Sequence, residues 1–379
     1  MAVVRNVLIV GGGIGGLTAG VALTRKGINV EIVELQEELS VYGVGIIQPN
    51  NTLRALAKIG LAQACVKAGA PFPGWRIFDA AGNPLNDAPN TNAADDRYPP
   101  VNGITRPRLH EILSGAARAS GVRMLLGDTI QMMTNNGEAI DVLFRNGREA
   151  SYDIVIGSDG LNSDIRRQLF PSAGRPQFTG QGVWRYNLPR PASMAWGELY
   201  FGPNSKVGLV PMTADLMYML VVTAEPGNPR FEGDRMAEFM RARLESYSGP
   251  ITPLKEQIVD PAGVIYRPME SMLLQSPWHS GRAILIGDAA HSTTPHLAQG
   301  AAMAIEDAVL LGELLGGDGS VASAFDEFMA RRFDRAKFVV DSSLQIGTWE
   351  MAQWLGTAPL DADPGGLLHR ATIALMEEY

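Results

Sequence analysis

Three short stretches of this 379-residue chain pair glycine with residues suited to holding phosphate or hydroxyl groups. They are Gly11-x-Gly13-x-x-Gly16, Asp159-Gly160 and Gly287-Asp288. In the first, Gly11 permits a tight turn and Gly13 lets backbone N–H groups approach a pyrophosphate. Gly16 lets the following helix pack closely on the preceding strand. Ile14 and Gly15 open that helix, whose N-terminus carries partial positive charge for phosphates. Glu34 follows about 20 residues on, where a carboxylate accepts hydrogen bonds from a ribose. The stretch therefore predicts a cofactor with an ADP moiety. By itself it leaves NAD and FAD both open.

The other two stretches narrow that choice. Asp159-Gly160 lies in GSDGLNSDIR and follows the apolar run Ile154–Ile156; Gly287-Asp288 follows Arg282–Ile286. Each ends a buried-strand pattern in a turn of small and hydrogen-bonding residues, and Asp288 is placed to accept from a polyol. Gly300 and Ala301 then open a helix whose free N–H groups can face electron-rich oxygens. Three such loops suit one long, extended ligand. FAD fits that description better than NAD.

The elements that must position these loops are legible as patterns. Asn6–Val10 and Asn29–Val33 are apolar β runs on either side of a helix that ends at Gly27. Residues 41–50 are glycine-rich, and helical patterns follow at 51–59 and 61–68. Between Ala70 and Pro100 the texture turns to Pro, Asn, Asp and Gly. That stretch carries a β run at Trp75–Asp79, a hairpin turn at Ala81–Asn83 and a flexible loop expected at Asn86–Asp96. Arg106-Pro107 opens a helix that closes at Gly121, and a meander of strands is expected at 122–126, 130–133 and 139–144. From Gln177 to Tyr266 the pattern is mainly β, with successive antiparallel strands at 182–188, 197–201, 205–211 and 216–223. One helix is expected at Asp234–Tyr247, with strand runs resuming at Ile258. A helix from about Gln299 to Leu315 and a helical tail from Val321, interrupted at 359–366, complete the chain.

The expected fold class is α/β, or α+β overall: a Rossmann-like FAD-binding domain with an inserted, mainly antiparallel β substrate domain and C-terminal helices. The expected parts are 1–70, 101–176 and 268–335 for the first domain, 71–100 and 177–267 for the second, and 336–379 for the helical segment.

Composition removes several functions. Hydrophobic residues make up 46% and charged residues 19%, enough for a large core. A net charge of −8, with no block of Lys or Arg, argues against nucleic acid or an anionic membrane as partner. The lone cysteine, Cys65, reads as core. The apolar start is a sheet strand rather than a signal peptide, and no run is long enough to span a bilayer, so a cytoplasmic protein is expected. No metal-ligand spacing is present.

The ordered set of GxGxxG, DG and GD motifs resembles the class A flavoprotein aromatic hydroxylases, which have the p-hydroxybenzoate hydroxylase-like fold. Arg106, in ITRPRLHEIL, is similar to the family's FAD-contacting arginine. The stretch PHLAQGAAMAIEDA, 295–308, looks most like the branch acting on salicylate, 3-hydroxybenzoate and 6-hydroxynicotinate. Ala298 departs from a glycine found in many members. The glycine-rich 43–50 segment is slightly short against the family pattern, so the resemblance names no substrate.

It implies a single-component monooxygenase in which NADH or NADPH reduces FAD and O2 forms a flavin C4a-hydroperoxide. One oxygen then passes to a small aromatic or N-heteroaromatic substrate, phenolic or carboxylated. Pro295 and His296 would lie beside the isoalloxazine, and these two with Tyr218 are the candidate catalytic residues. Pro295 and Gly300 also count as cofactor contacts. His291 belongs to a structural motif of the family.

The substrate sheet offers Arg185, Tyr186, Tyr200 and Tyr218. Alternation puts Tyr218 with Leu216 and Leu220 on one face, opposite Met217 and Met219, and leaves open which face lines the pocket. Trp349 and Trp354 would pack the tail on the body or on a second subunit, so monomer and homodimer both stand. A flavin-dependent reductase or oxidase, or a non-catalytic flavin redox sensor, is the alternative on this scaffold. A flavin halogenase would need a Trp-x-Trp-x-Ile-Pro segment, which the chain lacks.

Overall fold

A computed structural model describes residues 4–39, 43–90, 97–231 and 233–379. Its first sheet has six strands, in the order His279–Ser280, Ala283–Leu285, Ile154–Gly157, Asn6–Val10, Asn29–Glu34 and Arg123–Leu126. All neighbours are parallel except the two-residue edge strand 279–280. Parallel strands covered on both faces need continuous apolar runs, and Val7, Leu8, Ile9 and Ile154–Ile156 are fully buried. The helices Ile14–Thr24 and Gly300–Leu315 cross on this sheet so closely that a Cβ on Gly312 would fall 2.6 Å from Ala22 Cβ.

This arrangement corrects the expected meander. Arg123–Leu126 is a parallel edge strand of the first sheet, while the antiparallel sheet consists of Ile130–Asn135, Ile140–Phe144 and Glu149–Tyr152. The glycine-rich segment also gains structure. Gly45–Pro49 is a strand paired with Val101–Thr105, which in turn pairs with Ala70–Phe72. Gly45 is needed there because a Cβ would meet Met212 Sδ and the Tyr218 ring, each at 2.3 Å.

The large sheet has seven strands in the order Ile265–Leu273, Gln177–Pro189, Leu216–Ala224, Ser205–Pro211, Gly197–Phe201, Gly74–Asp79 and Pro84–Pro89. It is antiparallel but for Gly197–Phe201, which runs parallel to Gly74–Asp79. The start of the expected 86–96 loop is thus a strand, and residues 91–96 lie outside the described residues. The helix expected at 234–247 covers only Met236–Ala242, and a second helix follows at Ile251–Glu256. Ile258 is apolar because it is fully buried beyond that helix, not because it begins a strand.

Two faces of the large sheet have different partners. Trp184, Leu188, Val207, Met217 and Met219 pack outward with Met236, Met240, Leu244 and Ile251. Tyr218 and Val210 pack inward with Val44, Phe72 and Val101. The open question of Tyr218 is thereby settled: its face turns toward the three-stranded sheet of Gly45–Pro49, Val101–Thr105 and Ala70–Phe72.

The 34-residue helix Val321–Trp354 ties the halves together. Phe325 and Phe328 enter the core of the first sheet, Val339 and Ile346 pack near Leu297, and Trp354 covers Val183, Val222 and Met269 on the inner face. Helix Pro364–Ala374 packs back on it through Ala371. Among the described residues no helix is long and apolar enough to cross a membrane.

Candidate active site

The glycine loop is built by close backbone approach. A Cβ on Gly16 would fall 2.0 Å from Gly11 O. On Gly11, whose φ is +108°, it would fall 2.3 Å from Ser158 O, in the second motif. Gly15 is confined by Ser158 Oγ at 2.9 Å. Gly13 is different: it caps the helix without a side chain, and a Cβ there would meet nothing within 4 Å. The helix N-terminus therefore opens on free space, with its first N–H groups available to an anion. Ile14 is the first residue of that helix.

Glu34 stands beside the loop. Its Oε2 accepts from Gly12 N at 2.8 Å and its Oε1 from Gln36 N at 2.9 Å. Each oxygen retains a lone pair for a ribose hydroxyl. His110, on helix Arg106–Ala119, donates from Nε2 to Gly12 O at 3.0 Å and fixes the same turn. No motif marks this histidine.

Asp159 turns its carboxylate inward. It accepts from Ser163 Oγ, and from Ile165 N at 3.0 Å, so it caps helix Asp164–Leu169. Burial raises its carboxyl above the ordinary range against those hydrogen bonds. What the turn offers a ligand is backbone, with Gly160 at φ +77°. Arg166, from the same motif, donates to Leu161 O at 2.7 Å and to Ala289 O at 2.8 Å, joining the second turn to the third.

Gly287, at φ +60°, hands the chain into the short helix Asp288–His291. Among the described residues nothing donates a hydrogen bond to the Asp288 side chain. Its carboxyl is pushed above the ordinary range, chiefly by desolvation, with the His291 and Arg106 charges opposing. The residue is exposed, so water can supply its donors in the ligand-free protein, and the hydroxyls of a ribityl chain would replace that water. Arg106 is the first residue of its helix, after Thr105, whose Oγ1 caps Arg108 N. Its side chain lies against Gly43, where a Cβ would come within 2.5 Å of Arg106 Cδ. The residues present thus fit FAD.

Past the third turn, Pro295–Leu297 forms one short 3-10 turn with Pro295 exposed, and Ala298 follows in the left-handed region at φ +55°. That conformation favours glycine. Gly300 and Ala301 begin the next helix without a side-chain cap, because Gln299 is turned to Asn51 at 2.9 Å. Its leading N–H groups are open, as at Gly13.

His296 is hydrogen-bonded to the protein through one ring nitrogen, and the other lies near a carboxylate without a hydrogen bond. Nδ1 lies 2.8 Å from Thr294 Oγ1 and Nε2 lies 3.3 Å from Glu350 Oε2 on the long helix. Burial lowers its pKa against the pull of Glu350, so the ring is neutral near pH 7. Glu350 is buried too, yet Lys206 and His296 overcome desolvation and hold its carboxyl at about 2. A cavity of about 590 Å³ lies beside this histidine, lined by Thr294, Gln181, Ser343 and Gly347. Tyr218, Arg106 and Asp288 do not line it. Tyr218 is only 4% exposed, its ring against Gly45. Burial raises its phenol above the ordinary range despite the Arg185 and Arg106 charges nearby. Tyr218 and Arg106 are thus brought together, while His296 belongs to the Lys206–Glu350 group.

A second buried network supports the third turn. Asp307 Oδ2 accepts from Gly287 N at 2.9 Å and from His291 Nε2 at 2.6 Å. Arg332 Nε reaches Asp307 Oδ1 at 2.7 Å, and Arg332 NH1 reaches Glu306 Oε2 at 2.6 Å. Glu306 also accepts from Arg335 and Asn51. Sequence reasoning missed Asp307, Arg332, Lys206 and Glu350. Acidic and basic residues on helices carry no signal of their partners.

Comparison with known proteins agrees with this geometry. The family described as FAD binding domain matches residues 5–343. The aurachin C monooxygenase/isomerase of Stigmatella aurantiaca is 32% identical over 353 residues, covering 92% of this chain and 91% of that protein. The 3-hydroxybenzoate 6-hydroxylase of Polaromonas naphthalenivorans (strain CJ2) is 30% identical over 359 residues, covering 92% and 88%. The crystal structure of Klebsiella pneumoniae HpxO complexed with FAD and uric acid superposes with a TM-score of 0.83 at 24% identity. It covers 99% of this chain and 93% of that one, and shows a shared fold. The chain belongs to the FAD binding domain family, and with it to the class A flavoprotein hydroxylases that its three motifs resemble.

Proposed function

We propose that this protein is a single-component FAD-dependent monooxygenase. It uses NADH or NADPH and O2 to hydroxylate a small aromatic or N-heteroaromatic substrate. The observation that carries the reading is Asp288: an exposed carboxylate in the turn after the buried strand Ala283–Leu285, without a protein donor. Gly13 and the open helix N-terminus would hold the pyrophosphate and Glu34 the ribose. Asp288 and Arg106 would hold the middle of the ligand, with Gly300 and Ala301 at the ring. When bound, FAD supplies the redox chemistry, taking a hydride from the nicotinamide and passing one atom of O2 to the ring.

The chain's own residues shape where that happens. Pro295–Ala298 sets a rigid edge at the ring end of the groove. The inner face of the large sheet, with Tyr218 and the apolar Val44 and Val210, walls the substrate space and excludes water. Tyr218, protonated at neutral pH, is a hydrogen-bond donor for a ring oxygen. His296 is neutral and anchored, so its role would be to hold the Pro295 turn rather than to take a proton.

We place the protein in the cytoplasm, where the buried Cys65 thiol, pushed up to about 11 by desolvation, stays reduced and inert. Monomer and homodimer are separated by sedimentation. The central test is the visible spectrum of the purified protein, followed by NAD(P)H oxidation with a panel of hydroxylated benzoates, phenols and hydroxypyridines. Bound FAD, substrate-stimulated oxidation and a product heavier by one oxygen are expected. Protein that cannot be reconstituted with FAD overturns the reading, and flavoprotein that no aromatic compound stimulates points to the reductase or sensor.

A further inference from the structure

The peptide that joins Gly12 to Gly13 has glycine on both sides. The two dihedrals that rotate such a peptide, ψ of the first residue and φ of the second, meet no side-chain limit. Local sequence therefore does not choose which way this peptide faces. A planar trans peptide carries its C=O and its N–H in one plane on opposite sides. Whatever holds the Gly12 oxygen also aims the Gly13 N–H.

The holder is His110. Its Nε2 donates to Gly12 O at 3.0 Å, and among the described residues no other group donates to that oxygen. The preceding N–H groups of the turn are engaged too. Gly11 N donates to Val33 O at 2.8 Å, and Gly12 N to Glu34 Oε2 at 2.8 Å. Gly13 N is the exception. It donates to no described residue, and a Cβ on Gly13 would meet nothing within 4 Å. With the Gly12 oxygen turned to His110, the Gly13 N–H points away from that side chain, at the open head of helix Ile14–Thr24. A peptide turned the other way would present the Gly12 oxygen to a phosphate, setting one acceptor against another.

His110 is itself firmly placed. It lies on helix Arg106–Ala119 between Leu109 and Leu113, both fully buried, and is only 5% exposed. Arg106 stands one turn earlier, so helical spacing puts the two side chains on one face. That face serves the glycine turn with one residue and the middle of the ligand groove with the other.

We propose that His110 is a positioning residue of the pyrophosphate site. By holding the Gly12 carbonyl it keeps the Gly13 N–H turned to the phosphate oxygens of the ADP half of the cofactor. His110 touches no phosphate and acts only through this peptide. The proposal rests on the placement of FAD given above and deepens it to a residue outside the glycine loop.

The test is calorimetric titration of the ligand-free full chain with ADP and with adenosine, which lacks the pyrophosphate. In wild type ADP is expected to bind about tenfold or more tighter than adenosine. His110→Phe keeps a ring of similar size and removes the donor. It is expected to lose most of the ADP preference while adenosine binds as before, and FAD affinity should fall by a similar factor. His110→Gln retains an Nε2–H donor and should keep most of the preference. In amide spectra of glycine-labelled wild type, the Gly13 signal should move when ADP is added.

An ADP preference that survives in His110→Phe overturns the proposal, as does a Gly13 signal that ADP leaves in place. Equal losses for ADP and adenosine, failure of His110→Phe to fold, or a His110→Gln protein as impaired as His110→Phe mark His110 as structural, and also overturn it. Wild type that binds neither ADP nor FAD sinks the cofactor reading itself. Wild type that binds both, with His110→Phe unaffected, sinks only the assignment of His110.

Discussion

Arg332 and Asp307 form a buried pair in which Nε donates to Oδ1 at 2.7 Å, with both residues 0% exposed. The other oxygen of Asp307 holds the backbone of Gly287. The long C-terminal helix therefore fixes the turn that carries Asp288, although neither Asp307 nor Arg332 faces the ligand groove.

Breaking this pair from one side should be costly. Asp307→Asn and Arg332→Met each leave a buried charge uncompensated and should lower stability by about 3–5 kcal/mol. Denaturant unfolding measures the loss. FAD content should fall in whatever fraction remains folded, because Gly287 loses its anchor.

Acid sensitivity follows from the same carboxylates. Burial opposes ionisation of Asp307 and Glu350, but the His291 and Arg332 charges around Asp307, and the Lys206 and His296 contacts of Glu350, hold both at about 2. Their folded-state values lie below the unfolded ones, so their contribution is complete above the ordinary carboxylate range. It is lost as the pH falls from about 5 toward 2. Unfolding midpoints across that window should drop steeply in wild type and less steeply in Asp307→Asn.

Asp288→Asn should separate binding from folding. The carboxylate is exposed and has no protein donor, so its replacement should change the stability of the ligand-free protein by less than about 0.5 kcal/mol. FAD affinity should weaken about tenfold or more, the value of one lost charge-assisted hydrogen bond. Flavin fluorescence titration reads the affinity, and an unchanged value would remove Asp288 from the cofactor site.

Two substitutions in the glycine loop should behave in opposite ways. In Gly16→Ala the new methyl would lie 2.0 Å from Gly11 O, so the helix must shift, and folding as well as FAD binding should suffer. In Gly13→Ala the methyl meets no protein atom, so the ligand-free protein should melt within a few degrees of wild type. If Gly13 faces the pyrophosphate, FAD binding should still fall sharply. Thermal melts with and without FAD distinguish the cases.

Tyr218→Phe keeps the ring that packs on Gly45 and removes a hydroxyl that donates to no described residue. Stability should change by less than about 1 kcal/mol. A fall in kcat of tenfold or more would identify the phenol as a donor to substrate, whereas unchanged kcat and KM would leave Tyr218 as packing alone.

Several features of this protein were fixed by local sequence. The turn at Gly11–Gly16, the helix start at Arg106-Pro107 and the apolar runs of the first sheet depend on backbone freedom and periodicity within a few residues. These are properties that a short segment carries by itself, and they sufficed for the fold class and the family. The tertiary structure decided what depends on pairing across long stretches of chain. It made Gly45–Pro49 a strand by placing Val101–Thr105 beside it, and it ran Gly197–Phe201 parallel to Gly74–Asp79.

It also decided the state of each charged group. The sequence of Asp307 resembles that of Asp288, both acids near small residues, yet one has three donors and the other none. His296 gained Glu350 from a distant helix, while Arg185, on an apolar strand, gained no counter-charge at all. Burial and partnership are set by what the whole chain brings to a point, and no spacing along the sequence records it.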